Sequence, residues 1–383
     1  MTEDETSIHY VAADVALAHA KALLIANGIP ERDAATVAGG LVRADLRGVD
    51  THGLALLSEY LHRVRLGLIN AEPTLEPRES GLAARHLDGQ NAFGFVVAAR
   101  AMDEAMTLAR STGIAAVSAF RSTHYGMAAN YVLQAAESGM IGIAFTNASR
   151  GLPPHGSREP ILGTSPLAFG IPVRSGPPIV LDMSPSVAAR GKIRQALRRG
   201  QEIPLGYAID ADGNPTTDPA KALEGLLLPV GGPKGSGLAL MMDILSGVIS
   251  GSAFGGQVGN RHQDFDRPQD VGHLLIAIRP DLFIPLDDYY DRIEWLIERI
   301  HSSEPARGFD EVLLPGELEH RVEQRRRSSG LPLSGREVRA LRADSELAGI
   351  APLGFSATPL DIDAGSERLG SASDGGTPDP SSS

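Results

Sequence analysis

Two histidines stand in short motifs whose surroundings suit proton transfer. His52 lies in RADLRGVDTHG, a segment that breaks helical periodicity between two amphipathic stretches, which places it at or just before a helix amino terminus. Two readings of it are open, a surface histidine that caps the helix and an acid/base group, since imidazole titrates near neutrality. A helix amino terminus disfavours imidazolium, so a functional His52 needs a nearby carboxylate to restore its proton affinity. His124, in STHYG, follows the apolar run GIAAVSAF and sits at a strand's carboxyl end, where open α/β sheets carry ligand-binding loops. Its other reading is a buried histidine satisfied by backbone carbonyls.

Three further residue types could serve such a site. Asp182, in IVLDMS, follows an apolar strand and should be buried or half-buried, so its carboxylate needs a partner. Lys234, in GGPKGSG, lies in a glycine-rich loop that opens a helix; exposed N–H groups and a point charge there would suit phosphate. Lys192, in ARGKI, is the other glycine-flanked lysine of only four in the chain, the rest being Lys21 and Lys221. Asn147 (IGIAFTN) and Thr164 (LGTSP) either position a ligand by hydrogen bonds or serve as turn residues.

The elements that must hold these groups alternate. Helices are expected over 14–27, 31–46 and 54–66, the last ending at Gly67, and over 95–112 and 128–138. Strands are expected at 113–120, at IGIAFTN, PLAFGIP and IVLDMS, and at GHLLIAIRP. Helices recur at 188–200, 287–301 and 317–327, and YAIDADGNPTTDP reads as a strand and turn. The most apolar stretch, GLALMMDILSGVISG, is interrupted by Asp243 and is too short to span a bilayer, so it reads as a buried helix. From Ala364 onward apolar residues nearly vanish, and a disordered tail is expected.

Composition narrows the function. With 383 residues and 42% apolar content the chain can bury a large core, and its net charge of -12, with no basic stretch beyond Arg325, Arg326 and Arg327, argues against nucleic acid as a partner. Cysteine is absent, which removes disulfides, thiolate metal sites and a thiol nucleophile. The acidic amino terminus MTEDETSIHY lacks the features of a secretory signal, so a soluble, cytoplasmic protein is expected. There is no G-x-G-x-x-G in a strand–helix context, no P-loop, no H-E-x-x-H and no G-x-S-x-G.

Seven segments, in order, resemble the type-2 malate/L-lactate dehydrogenase family: ADLRGVDTHG, STHYG, GMIGIAFTN, EPILGTSPLAFGIP, VLDMSPSVAARGKI, TTDPAKALEGLLLPVGGPKGSGLALMMDILSGV and GHLLIAIRP. Weaker similarity extends from about Ile8 to Leu353. The resemblance implies an α/β, non-Rossmann fold with a mixed-sheet cofactor domain and a largely helical second domain, which accounts for the missing glycine fingerprint. Residues 1–82 would belong to a substrate and dimerisation domain, 83–259 to the cofactor domain and 260–353 to a return to the first, with 354–383 a tail.

The implied activity is hydride transfer between NAD or NADP and a small 2-hydroxy/2-oxo acid, in a homodimer with no metal and no membrane association. Alternatives are reduction of a cyclic imino acid, or cofactor binding without turnover. On this resemblance His52 or His124 exchanges the proton of the substrate's C2 oxygen, and Asp182 orients a histidine or contacts the nicotinamide. Met183, Ser184, Lys234, Gly235 and Lys192 would meet the cofactor. Many relatives carry arginine four positions after the DTHG histidine; here that position is Leu56. Carboxylate recognition must then come from elsewhere, with Arg47 or Arg150 as candidates beside Asn147 and Thr164.

Overall fold

The computed structural model describes residues 7–362. Strand β1 (Ile8–Val11) leads into helices α1 (Ala13–Ala26) and α2 (Glu31–Leu46), divided by Gly28 at φ +87° and by Pro30. The helix expected over 54–66 is split. Asp45, near the end of α2, accepts the Leu54 N–H at 2.9 Å and bends the chain, so 3-10 turns at Asp50–His52 and Leu54–Leu56 precede α3 (Leu57–Arg65).

Next come β2 (Arg78–Gly81), β3 (Ala84–Asp88), α4 (Gly94–Thr112), β4 (Ile114–Ser122), α5 (Ala129–Glu137) and β5 (Ile141–Thr146). The small hairpin β6 (Arg150–Leu152) and β7 (Leu162–Gly163) is followed by β8 (Leu167–Ile171) and β9 (Ile179–Met183). A lesser subassembly holds α6 (Arg190–Arg199), β10 (Ala208–Ile209), β11 (Pro215–Thr216), α7 (Pro219–Glu224) and β12 (Leu226–Leu227), around its own core of Ile193, Ile203, Ala208 and Leu227. The chain continues through α8 (Pro233–Asp243), a π-helical turn (Ile244–Val248), β13 (Val271–Ile278), α9 (Leu286–His301), α10 (Glu317–Ser329), β14 (Leu331–Ser334) and α11 (Gly335–Ala348).

One mixed sheet of seven strands, in the order β2-β3-β4-β13-β5-β8-β9, organises the molecule, and only β3 and β4 pair in parallel. Helices α4 and α5 pack on it and bury Val97, Met102, Val117, Val132 and Leu275. A second core, of Leu23, Leu24, Leu41, Leu57, Leu61, Leu333 and Val338, joins α1, α2 and α3 to β14 and α11. The amino-terminal and carboxyl-terminal parts of the described residues meet there, because β1 pairs with β14.

Several expectations are corrected. A boundary at 82 would cut the β2–β3 hairpin, and β13, from the segment expected to return to the first domain, is the central strand of the sheet. Its Leu275 and Ala277 are fully buried, and an apolar strand of that kind is most stable when paired on both sides. Contacts also run past 354, where Ser356 exchanges backbone hydrogen bonds with Tyr10; the tail from Ala364 lies outside the described residues. The apolar stretch is not fully buried: α8 turns Gly235, Ala239 and Met242 inward, while Leu240, Met241, Val248 and Ile249 stand exposed. Among the described residues no helix is long and apolar enough to cross a membrane.

Candidate active site

The loop carrying His52 is fixed from both sides. A Cβ on Gly53 would lie 1.7 Å from Asp45 Oδ1, so only glycine lets the chain pass the buried carboxylate after His52. Arg326 of α10 donates to the Asp45 carbonyl and to the Asp50 carboxylate, pinning the turn from the far side. Thr51 Oγ1 lies 2.9 Å from His52 Nδ1. Burial, reinforced by the charge of Arg261, pushes the His52 pKa down to about 4, so the ring is neutral at pH 7.

His124 enters from the end of β4. Its backbone N–H donates to Gln269 Oε1 at 3.1 Å, and its ring lies against that of His52, centroids 5.6 Å apart and planes 28° apart. The hydroxyl of Tyr60, on α3, is 2.6 Å from His124 Nδ1. Tyr60 is buried between the edges of Phe93 and Phe95, and burial holds its phenol well above the ordinary range, so the group stays protonated. Arg261 Nη1 and the Gly126 N–H face the same nitrogen at 3.4 Å. Those two groups can only donate. The surroundings therefore make Nδ1 the acceptor and place the hydrogen of the neutral ring on Nε2. Burial, then Arg261 and His52, hold the His124 pKa well below the usual value.

Arg261 belongs to a polar loop that α3 holds in place. Arg63, fully buried, donates to the carbonyls of Arg261, Asp264 and Arg267 at 3.1, 2.9 and 3.3 Å. Glu59, one turn earlier, receives His262 Nδ1 at 2.6 Å and has Arg261 Nε at 3.6 Å. One helical face thus supplies Glu59, Tyr60 and Arg63 to a single corner.

Asp182 is reached from the other side. Its side chain opens to solvent, against the expected burial, yet protein crowds the rest of it and lifts its pKa to about 6. Its partner is the start of α5, where Oδ2 accepts the Ala129 N–H at 2.7 Å. It does not bond either imidazole, so the expectation that it orients a histidine directly is corrected. Ser184 closes a local turn on Ser186 at 2.9 Å beside Met183. The next residue, Pro185, accepts the Val230 N–H at 2.8 Å, which joins this segment to the lysine loop.

In that loop Gly231 and Gly232 have φ near +60°, and a Cβ on Gly235 would meet Val230 O at 2.4 Å. The backbone donors expected for phosphate are largely engaged: Gly232, Gly235 and Ser236 N–H bond Pro229, Val230 and Gly232 carbonyls, and Pro233 has none. What the loop does offer is the exposed Lys234 side chain, next to a cleft of about 680 Å³ lined by His155, Ser157, Arg158, Pro229, Gly231 and Gly232. Lys192 is exposed on α6.

The residues expected to bind substrate fare less well. Arg47 is buried and held by Glu323 at 3.2 Å and by the Gly316 carbonyl, so it is not free to bind a ligand. Asn147 is buried too, with its amide bonded to Asp243, Ala253 and Gly272; it fixes the π-helical turn against β13. Thr164 is half-buried beside Gly151 on the β6–β7 hairpin. Leu56 packs into the helical core. Sequence reasoning missed Tyr60 and Arg261. Tyr60 carried a signal, lying two helical turns beyond His52 on the same segment, whereas Arg261 lay in a polar loop with no pattern.

The family comparison decides what this corner belongs to. The sequence profile of the malate/L-lactate dehydrogenases matches residues 11–342. The chain belongs to this family. Among malate/L-lactate dehydrogenase relatives, L-sulfolactate dehydrogenase of Methanocaldococcus jannaschii is 40% identical over 303 residues, 78% of this chain and 86% of that protein. Its solved structure superposes with a TM-score of 0.85, covering 89% of this chain and 98% of the other. Malate dehydrogenase of Pyrococcus horikoshii is 38% identical over 85% of this chain and 92% of its own length, and its structure matches at a TM-score of 0.83. Ureidoglycolate dehydrogenase (NAD(+)) of Escherichia coli O157:H7 is 37% identical over 76% of this chain and 82% of its own length. Relatives named for NAD(+) and for NADP(+) both occur.

Proposed function

We propose that this chain moves a hydride between NAD or NADP and C2 of a small 2-hydroxy/2-oxo acid, with His124 exchanging the proton of the C2 oxygen. Family membership makes it an NAD(P)-dependent dehydrogenase of small 2-hydroxy acids; the assignment of residues is our reading. The observation that carries it is the pair of stacked imidazoles with His124 Nδ1 occupied by Tyr60. Nε2–H is then the edge of His124 available to a carbonyl oxygen. As C2 is reduced its oxygen gathers negative charge, and a positioned proton donor removes that charge in the transition state, a contribution of ~10² to 10⁴ in rate. His52 stacks against one face of that ring.

The cofactor is assigned to the arm formed by the end of β9 and the lysine loop, which are joined through Pro185 and Val230. The exposed ammonium of Lys234 suits a phosphate, and Met183 and Ser184 lie where their segment joins the lysine loop. Gly235 lets that loop close on the strand end, Asp182 at that strand end is held by the start of α5 and is assigned to the nicotinamide end, and Lys192 is assigned to the outer, ribose end. When bound, the nicotinamide supplies or accepts the hydride. Arg261 favours the uncharged carbonyl of an oxo acid over the protonated C=N of a cyclic imine at the reacting carbon, since its charge repels a cation near His124. The exposed apolar face of α8 and the π-helical turn supports a homodimer, because such a surface is normally covered by a partner. A cytoplasmic location belongs to the same proposal.

The test is a substrate panel of 2-oxo acids, 2-hydroxy acids and cyclic imino acids with each cofactor, followed at the NAD(P)H absorbance. Turnover of at least one oxo or hydroxy acid is expected; binding of NAD(P)H without turnover of any compound would end the proposal.

A further inference from the structure

A 2-hydroxy or 2-oxo acid carries a carboxylate on the carbon next to the reacting one, and enclosing that charge without a cation is costly. Most arginines near the imidazoles are already engaged. Arg47 pairs with Glu323, Arg63 is closed on three carbonyls, Arg326 forks onto Asp50 and Arg267 bonds Asp264.

Arg261 differs. The nitrogen its Nη1 faces, His124 Nδ1, has one lone pair, and Tyr60 at 2.6 Å holds it far more closely than Arg261 at 3.4 Å. Its other neighbours are the Tyr60 oxygen and Glu59, the latter at 3.6 Å with its second oxygen taken by His262. None of these makes the two parallel bonds that a guanidinium forms with a carboxylate. The side chain is only 17% exposed, so this underused fork sits in a nearly closed corner beside the proposed proton donor.

We infer that Arg261 binds the substrate carboxylate and so sets the C2 oxygen against His124. This rests on the hydride-transfer reading above. The inference also explains how a site with Leu56 packed into the core can recognise an acid: the cation comes from the loop before β13, stapled by Arg63, rather than from the helix after His52. A bound carboxylate would offset the Arg261 charge, which adds to burial in holding both imidazoles down, and so would raise the proton affinity of His124 when the C2 oxygen needs a proton.

The experiment compares wild type, Arg261→Gln and Arg261→Lys on a turned-over 2-oxo acid and on its methyl ester, with NAD(P)H binding followed by fluorescence. Wild type should prefer the acid, and Arg261→Gln should raise KM for the acid about 100-fold and cut the acid-to-ester ratio of kcat/KM by a similar factor. Cofactor affinity should stay within threefold. Arg261→Lys, which keeps the charge and loses the fork, should retain part of the preference and serves in place of Arg261→Gln if that variant does not fold. A merely structural role would lower both substrates together. An unchanged acid-to-ester ratio in a folded variant would overturn the inference while leaving the hydride-transfer reading intact; failure of wild type on every oxo acid would remove that reading itself.

Discussion

The phenolic oxygen of Tyr60 lies 2.6 Å from Nδ1 of His124. That contact is one of those that join the helical part of the molecule to the sheet, since Tyr60 stands on α3 and His124 at the end of β4. Because Arg261 and the Gly126 N–H also face Nδ1 and can only donate, the tyrosine hydroxyl donates there as well and the ring hydrogen stays on Nε2. Tyr60→Phe removes the hydroxyl and keeps the ring between Phe93 and Phe95, so kcat should fall at least tenfold with cofactor affinity unchanged. Steady-state kinetics with a fluorescence titration checks both.

Gly53→Ala is expected to damage the site without touching a ligand. The added methyl would fall on the Asp45 carboxylate, whose bond to the Leu54 N–H shapes the turn after His52. Overpacking of this kind costs about 1–3 kcal/mol, and denaturant unfolding should show a loss in that range together with a drop in kcat at temperatures where the variant remains folded.

Stability should fall in acid through buried histidines. His273, in the central strand, is fully buried between Thr146 and Ser122, both at 2.8 Å, and stacks on Tyr125; burial depresses its pKa to about 3. Its folded pKa is below the unfolded value of about 6.5, so the unfolded chain takes up the proton first, and stability falls as pH drops from 6.5 towards 3. At pH 5 this one ring should account for about 2 kcal/mol. Comparing chemical denaturation of wild type and His273→Gln at pH 7.5 and pH 5.0 should show a smaller acid loss in the variant.

Lys234→Ala tests the cofactor arm. The ammonium is exposed and the loop's backbone donors are largely engaged, so removing it should weaken NAD(P)H binding about tenfold and leave thermal stability nearly unchanged. Titration of both cofactors with a melting curve separates the two effects.

Periodicity made α1, α2, α4 and α5 legible almost to the residue, because each has a continuous buried stripe ended by a glycine or proline. The strands β2 and β3 escaped because RESG and ARHLD carry few apolar residues. Helix α11 carried an unread signal: Ser334 and Glu337 form a capping box, visible as SGRE. Within the site, the motif histidines were legible as separate candidates, while their stacking depends on β4 and the turn after α2 meeting across 72 positions of chain. Arg47 and Asn147 misled for a common reason: their polar heads serve buried partners, and residue type alone does not say which way a side chain faces.

The most direct test sets His124→Ala beside His52→Ala in single-turnover reduction of a 2-oxo acid with saturating cofactor. The account predicts a loss of about 10² to 10⁴ in the chemical step for His124→Ala, a smaller loss for His52→Ala, and cofactor affinity within tenfold of wild type for both. A His124→Ala enzyme that reduces substrate at the wild-type rate would contradict it.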